Sequence, residues 1–162
     1  MPVHRIQVNR PNDNKILVPD PEALRQTGPC VRVAIDLSSA LARRFEREDV
    51  PIPPSASGYA LIDTGASITA VDRRVLTELH LFPVGQVTVT TAGGPHGQSK
   101  YLGRLSFPET PLLPRDLEVL GADLSGLRAD TGKSIIALLG RDLLKDMVLV
   151  YDGKHATVTI AY

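Results

Sequence analysis

Short runs of strand length recur along most of the chain. From Val31 to Leu37, apolar and polar residues alternate with a period of two, which predicts a half-buried strand. Further alternating or continuous apolar runs predict strands over 59–62, 86–91, 101–107, 117–120, 135–139, 147–151 and 155–160. The pattern therefore predicts a mostly-β fold.

Helical spacing is rare in comparison. Val71, Val75 and Leu79 lie at helical spacing and predict a short helix over 72–79, while 41–48 has room for one helical turn with a charged, solvated face. We therefore expect one or two short helices. A glycine-rich tip over 92–97 joins two predicted strands into a long hairpin, and Asp-Gly at 152–153 predicts a tight reversed turn in a second hairpin.

Composition and length fit one folded domain with an N-terminal extension. The chain has 162 residues, of which 43% are hydrophobic, so a real core is expected and wholesale disorder is excluded. Residues 1–29 are polar and rich in proline and are expected to form an arm with room for one short strand. The folded domain is expected to span residues 30–162.

Charge and cysteine content exclude several classes of protein. Lys plus Arg equals Asp plus Glu at 18 each, which leaves no electrostatic footprint for nucleic acid or an anionic membrane. Cys30 is the one cysteine, so neither an intrachain disulfide nor a Cys-based metal cluster is expected. No apolar run approaches the ~20 residues of a membrane span. We expect a cytoplasmic protein without a metal or cofactor.

The candidate chemistry lies where an apolar strand, Tyr59 to Ile62, runs into Asp63-Thr64-Gly65. A strand end holds a carboxylate rigidly, and Gly65 permits close approach of a substrate or of a second chain. If two such turns face each other, two carboxylates share one proton. The ionised member activates a water, and the protonated member donates to a scissile carbonyl. The alternative is an ordinary turn, in which Asp63 only caps the backbone.

Two motifs together resemble those of one protease family. Leu61-Ile62-Asp63-Thr64-Gly65-Ala66-Ser67 and the later Leu138-Leu139-Gly140-Arg141-Asp142-Leu143-Leu144 are similar to the active-site turn and the late Gly-Arg-Asp segment of the retropepsin-like aspartic proteases. The resemblance covers roughly residues 30 to 160. It implies the closed-barrel acid protease fold and an aspartic endopeptidase that acts on a peptide or protein substrate as a homodimer.

The resemblance also implies roles for individual residues, each carried over from the matching position. Asp63 resembles the catalytic aspartate, Thr64 the residue that interlocks the two turns, and Gly65 a backbone site for substrate. Gly93 and Gly94 resemble the flap, Ile136 and Leu138 the walls of the pockets beside the scissile bond, and Gly140 with Arg141 a structural pair that supports the turn. In the family the chain termini often build the dimer sheet, a role that suits residues 147–162.

Two departures from the family pattern bear on mechanism. Retroviral members often have an acidic residue where Ser67 stands, paired with the arginine that corresponds to Arg141; Asp72 or Asp142 could substitute. Many aspartic proteases have Ser or Thr where Ala66 stands, and that hydroxyl stabilises the ionised aspartate. Because alanine has no such donor, we expect a less acidic pH optimum, above about pH 4.

Other motifs are weaker. A second Asp-Thr-Gly at 130–132 follows no apolar strand and precedes Lys133, so a two-motif, single-chain protease is rejected. Residues 126–134 miss the spacing of a phosphate loop. The four histidines lack paired ligand spacing, and no serine lies in a Gly-x-Ser-x-Gly elbow. The remaining alternative is a module of the same fold that dimerises or binds peptides with weak or no activity.

Overall fold

The computed structural model describes residues 2–91, 94–129 and 132–162. Within these ranges the elements are, in chain order, β1 (Val3–Gln7), β2 (Asn9–Pro11), β3 (Leu17–Pro19), α1 (Pro21–Thr27), β4 (Cys30–Leu37), α2 (Ser39–Arg47), β5 (Ala56–Ile62), β6 (Ala70–Asp72), α3 (Arg73–Glu78), β7 (Gly85–Thr91), β8 (Gly94–Ser106), β9 (Arg115–Ala122), β10 (Ile135–Leu139), α4 (Arg141–Leu144), β11 (Val148–Asp152) and β12 (Thr157–Ala161). The predicted mostly-β fold is confirmed, but the described residues contain four helices rather than one or two. No helix in the described ranges is both long and apolar enough to cross a membrane.

The central sheet is a barrel. Its strands follow the order β4-β5-β10-β6-β9-β8-β7, and β8 pairs with β4 as well, so the sheet closes on itself. Strand β10 runs parallel to β5 and antiparallel to β6. The segment that follows β5 and the segment that follows β10 therefore emerge at the same end of the barrel. The predicted closed barrel is confirmed.

The main hydrophobic core fills this barrel. The strands supply it with residues at every second position, such as Val31, Val33 and Ile35 of β4, which are at most 4% exposed. Helix α3 covers it with Val75 and Leu76. Alternation of this kind specifies the register of β4, and β6 and β10 are buried on both faces, so the strands beside the candidate site are closely packed.

The N-terminal segment is more ordered than the polar composition predicts. Strand β1 pairs antiparallel with β12, and α1 starts at Pro21 behind the cap Asp20. Leu24 of α1 is 1% exposed and packs with Val8, Ala156 and Val158 in a second hydrophobic cluster. The sequence analysis missed this docking because two apolar residues among many polar ones give no periodic signal.

The C-terminal hairpin exists as predicted, but its turn is longer. Strands β11 and β12 are joined by four residues, 153–156, instead of the predicted tight Asp-Gly turn. The Asp152 carboxylate accepts from the His155 backbone N–H at 3.1 Å, and Ala156 has φ +50° and is fully buried. Burial of Ala156 in the second cluster outweighs the local preference for the shorter turn.

Candidate active site

The Asp63 carboxylate lies at the open end of the barrel, directly after β5. The Asp63 N–H donates to Leu139 O at 3.0 Å, which ties the residue to the end of the parallel neighbour β10. The Gly65 N–H donates to Asp63 Oδ1 at 2.9 Å and fixes the carboxylate. Oδ2 receives no hydrogen bond from the described residues. One oxygen is thus held by the turn, and the other remains available for chemistry.

Arg141 braces the same turn from the start of α4. Its Nη1 donates to Thr64 O at 2.7 Å and to Gly65 O at 3.0 Å, and its backbone N–H donates to Ala66 O at 2.9 Å. The predicted acidic partner of Arg141 is wrong for both candidates, because the guanidinium bonds to backbone carbonyls instead. Three carbonyls of the turn are therefore oriented by one residue.

Asp142 locks the turn to the barrel. Its Oδ1 accepts from Thr69 N at 2.9 Å, from Thr69 Oγ1 at 2.8 Å and from Leu143 N at 2.9 Å, while its backbone N–H donates to Ser67 O at 3.2 Å. Thr69 is fully buried, so its polar groups depend on this carboxylate. The sequence analysis did not predict that Asp142 binds Thr69. The signal available for it was the Gly-Arg-Asp motif, which ends at Asp142.

Gly140 leaves no room for a side chain. Its N–H donates to Thr69 Oγ1 at 3.1 Å, and a Cβ at this position would lie 2.6 Å from Ile68 C and 2.7 Å from Thr69 N. Both contacts are with backbone, which cannot rotate away as a side chain can. Close approach of the two segments therefore requires glycine at position 140.

A cleft of about 330 Å³ opens above Asp63. It is lined by Asp63, Gly65, Ala66, Ser67, Ile68, Ala70, Val89, Thr90, Gln98, Leu120, Ala122 and Leu138. The lining combines the Asp63 turn, apolar residues of the barrel, and Val89, Thr90 and Gln98 of the β7–β8 hairpin. Asp63 is the only carboxylate among the described residues of this lining.

The predicted site residues are distributed unevenly around this cleft. Leu138 lines it, whereas Ile136 lines a separate cavity together with Gly58 and Tyr59. An irregularity in the β5–β10 register between Ile135 and Ala137 separates the two side chains. The pocket roles predicted for Ile136 and Leu138 therefore stay predictions, with only Leu138 placed at the cleft.

The predicted flap corresponds to the β7–β8 hairpin. Gly94 has φ +102° and pairs with Thr91, and Gly93 lies outside the described residues. Thr64 is exposed, and its predicted contact with a second chain stays a prediction. The Gly65 carbonyl accepts from Arg141, and its second lone pair leaves room for a substrate hydrogen bond.

The second Asp-Thr-Gly is only partly described, since Asp130 and Thr131 lie outside the described residues. Around them, Arg128 bridges to Ser134 and the Ala129 N–H donates to Lys133 O at 2.9 Å. The flanking residues thus pair with each other instead of ending an apolar strand. Nothing in this surrounding matches the strand end that holds Asp63.

Another aspartate of the barrel, Asp72, is buried and accepts several hydrogen bonds from the protein. It is 2% exposed and accepts from Arg74 N, Nε and Nη2 and from Leu124 N, at 2.9 to 3.2 Å. The Arg74 side-chain hydrogen bonds lower the pKa of Asp72 below its ordinary value, against the opposing effect of burial. No group of three His, Cys, Asp or Glu residues in the described ranges is arranged to hold a metal.

Comparison with known proteins gives likeness of fold only. No protein-family model matches the chain, and no curated protein does. The solution structure of the simian foamy virus (mac) protease is similar over 70% of this chain and 91% of that chain, at 16% identity and a TM-score of 0.41. The crystal structure of a retropepsin-like aspartic protease from Rickettsia conorii is similar over 99% of this chain and 94% of that chain, at 14% identity and a TM-score of 0.42.

Both structures are proteases, and one has the retropepsin-like name that the motifs of this chain suggest. Their TM-scores lie below 0.5, so neither gives a function to this chain. The class of protein is inferred instead from the Asp63 turn, from the hydrogen bonds of Arg141 and Asp142 that hold the turn, and from the cleft beside it.

Proposed function

We propose that this chain is an aspartic endopeptidase whose active form is a homodimer. The observation that carries the proposal is the state of the Asp63 carboxylate, which lies on the floor of a cleft with Oδ1 held by Gly65 N–H. In the same unit, Asp142 Oδ1 accepts from three donors, whereas Asp63 Oδ1 accepts from the Gly65 N–H alone among the described residues. A carboxylate kept accessible in this way is suited to proton transfer.

Asp63 alone supplies half of the required chemistry. Water attack on an amide needs one group that takes a proton and one that donates a proton. No further carboxylate lines the described part of the cleft, so the second group is Asp63 of another copy. A two-fold axis between the two turns brings the pair together, because an isologous interface repeats the same residue on both sides.

The dyad then acts in sequence. The two carboxylates share one proton, because ionising both at close range is unfavourable. The ionised Asp63 takes a proton from water, whose oxygen attacks the carbonyl carbon, and the protonated Asp63 donates to the carbonyl oxygen. Collapse of the tetrahedral intermediate breaks the C–N bond. The leaving nitrogen takes the proton that one Asp63 removed from water, and a hydroxyl of the intermediate returns its proton to the other Asp63, which restores the dyad. The rigid turn contributes by holding both carboxylates in place before reaction.

The cleft walls favour apolar side chains beside the scissile bond. Ala70, Leu120 and Leu138 line the same cleft as Asp63, and Val89 of β7 adds a further apolar side chain to the lining. Transfer of a substrate side chain from water to such a wall is favourable by about 25 cal/mol per Å² of apolar surface. The substrate class is therefore an extended peptide with apolar residues at its centre.

The test is cleavage of an unstructured protein between pH 3 and pH 8. We expect wild type to cleave with an optimum above about pH 4, and both Asp63→Asn and a statine-type inhibitor to abolish cleavage. Asp146→Asn is the matched control, because Asp146 is an exposed carboxylate paired with Arg115 outside the Asp63 cleft. Cleavage that survives Asp63→Asn contradicts the proposal. A dimer that never cleaves identifies the inactive peptide-binding module instead.

A further inference from the structure

A cavity separate from the Asp63 cleft collects groups that can bind an anion. It has a volume of about 310 Å³ and lies between β4, β5 and the segment that leads into β10. Its polar side chains are those of Arg32, Ser57, Tyr59, Lys133 and Ser134. Each of them can donate a hydrogen bond, and two of them are cations. No carboxylate is found among the described residues of this lining.

The register of two strands brings three of these side chains to one face of the sheet. Arg32 of β4 and Tyr59 of β5 are direct partners in an antiparallel pair, so their side chains lie side by side. Ser57 precedes Tyr59 by two residues in β5 and therefore projects from the same face. A guanidinium, a phenol and a hydroxyl are thus placed together by the backbone pairing.

The segment before β10 adds the remaining two groups. The Tyr59 N–H donates to Ser134 O at 3.4 Å, which ties this segment to β5. Lys133 Nζ lies 6.0 Å from the centre of the Tyr59 ring, at the outer limit of a cation–π contact. The ring of Tyr59 therefore has a cation from each of two segments beside it.

Both cations keep donors for a ligand. Lys133 forms no ion pair with any residue in the described ranges. Arg32 Nη1 donates to Glu109 at 2.8 Å, but both side chains are about half exposed, at 48% and 54%, and Glu109 is outside the lining. Exposed pairs of this kind are weak, and the other N–H groups of the guanidinium remain available.

Two other cavities of the molecule contain cations in a different arrangement. Arg25 forms an ion pair with Glu22, and Arg115 forms one with Asp146. In both cases the carboxylate lines the same cavity as the cation that it neutralises. The cavity around Lys133 differs, because its positive charge is not balanced from within the lining.

The same cavity gives a place to a motif that the sequence analysis set aside. Gly132-Lys133-Ser134 ends the segment that misses the spacing of a phosphate loop. A strand, β10, follows Ser134 where a phosphate loop would lead into a helix. The segment is therefore not a phosphate loop, yet its ammonium and hydroxyl, which are suited to phosphate, meet further donors from β4 and β5.

We infer that this cavity binds a small ligand with a phosphate-type dianion. The ammonium of Lys133 and the guanidinium of Arg32 balance the two negative charges, and the three hydroxyls donate to the oxygens. A phosphate group accepts hydrogen bonds from many directions, which suits donors supplied by two strands and a loop. The inference is independent of the proposed peptidase activity, because the two cavities share no residue.

The experiment titrates the full-length wild-type chain with inorganic phosphate and follows backbone amide chemical shifts. Ionic strength is held constant with sodium chloride, at a pH where phosphate is largely a dianion. We expect shifts that saturate at millimolar phosphate and that are largest for Gly58, Tyr59 and Ser134. A parallel titration with phenyl phosphate distinguishes a free ion from an ester, and saturable binding of either supports the site.

Matched variants test which groups hold the ligand. Lys133→Gln removes one charge and should weaken phosphate binding at least about tenfold, while Lys133→Arg should restore most of the affinity. Ser57→Ala removes one neutral donor and should weaken binding about threefold. Lys145→Gln is the control, because Lys145 is also an exposed lysine and lies outside this cavity. It should leave the affinity unchanged.

Three results would overturn the inference. The first is a wild-type titration in which neither phosphate nor phenyl phosphate gives saturable shifts. The second is saturable binding whose shifts lie away from the starts of β5 and β10. The third is equal affinity of Lys133→Gln and Lys145→Gln, because binding would then not depend on the cation in the cavity.

Discussion

Two aspartates of the same hydrogen-bonded unit, Asp63 and Asp142, have opposite environments. Asp142 Oδ1 accepts from three donors and joins α4 to the buried Thr69. Asp63 Oδ1 accepts from Gly65 N–H alone, and the carboxylate faces a cleft. A carboxylate oxygen that accepts from three donors ties segments of the fold together, whereas a carboxylate that accepts one bond and lines a cleft is suited to proton transfer. The difference supports a structural role for Asp142 and the catalytic role that we propose for Asp63.

The largest effect is expected from replacing Asp63, the aspartate to which we attribute the chemistry. Asp63→Asn preserves size and the acceptor for Gly65 N–H but cannot take a proton from water. We expect activity on an unstructured protein to fall at least about a thousandfold, while the urea midpoint of unfolding stays within error of wild type. A large loss of stability in this variant would contradict the assignment of Asp63 to chemistry.

Asp142→Ala tests whether the Asp142 carboxylate stabilises the fold. It leaves the Thr69 N–H and hydroxyl and the Leu143 N–H without their acceptor, and Thr69 is buried. We expect a loss of about 3 kcal/mol in the free energy of unfolding, measured in urea. Asp142→Asn, which keeps an acceptor oxygen, should recover much of it. Asp146→Ala, an exposed neighbour, is the control, and an equal loss there would contradict the account.

Gly140→Ala tests the close approach of the two segments without removing any polar group. The new Cβ meets backbone atoms of Ile68 and Thr69 at 2.6 and 2.7 Å. We expect a loss of about 2–3 kcal/mol, since overpacking against backbone forces the segments apart. Gly97→Ala is the matched control, because a Cβ there meets nothing within 4 Å. Thermal unfolding of both variants measures the difference. Equal stabilities of Gly140→Ala and Gly97→Ala would contradict the close approach of residue 140 to the backbone of Ile68 and Thr69.

Asp72 is a second carboxylate that stabilises the fold, and its replacement is expected to change stability least. Its pKa is lowered chiefly by the Arg74 side-chain hydrogen bonds, so the ionised form stabilises the fold above the unfolded-state pKa, and this stability is lost as pH falls through the lower folded-state pKa. We expect Asp72→Asn to be about 1–2 kcal/mol less stable than wild type near pH 6. The gap should narrow below about pH 4. A gap that stays constant down to pH 2 contradicts the assignment.

The sequence is sufficient to predict the Asp63 turn and many of the strands because both depend on local patterns, whereas the closed barrel was implied by the resemblance that the two motifs carry. An apolar strand that ends in Asp-Thr-Gly, and alternation in Val31 to Leu37, are visible without coordinates. The partners of Arg141 are not, because the guanidinium bonds to the carbonyls of Thr64 and Gly65, 77 and 76 residues away. Backbone carbonyls are the same in every residue, so the sequence contains no signal for them.

The misjudged segments fail for a related reason. Leu24 and Val8 dock the N-terminal segment through tertiary contacts with Ala156 and Val158, and no periodicity precedes such contacts. The same contacts draw Ala156 into the buried cluster and lengthen the turn between β11 and β12 beyond the Asp-Gly pair. Where one buried contact across the chain decides local structure, patterns read along the chain cannot reveal it.

The shared dyad is tested most directly by mixing wild type with Asp63→Asn at constant total concentration and letting subunits exchange. If each active site needs Asp63 from both copies, activity varies as the square of the wild-type fraction. An equal mixture then retains about one quarter of the all-wild-type activity. Retention of about one half, the result for a site complete within one chain, would contradict the account.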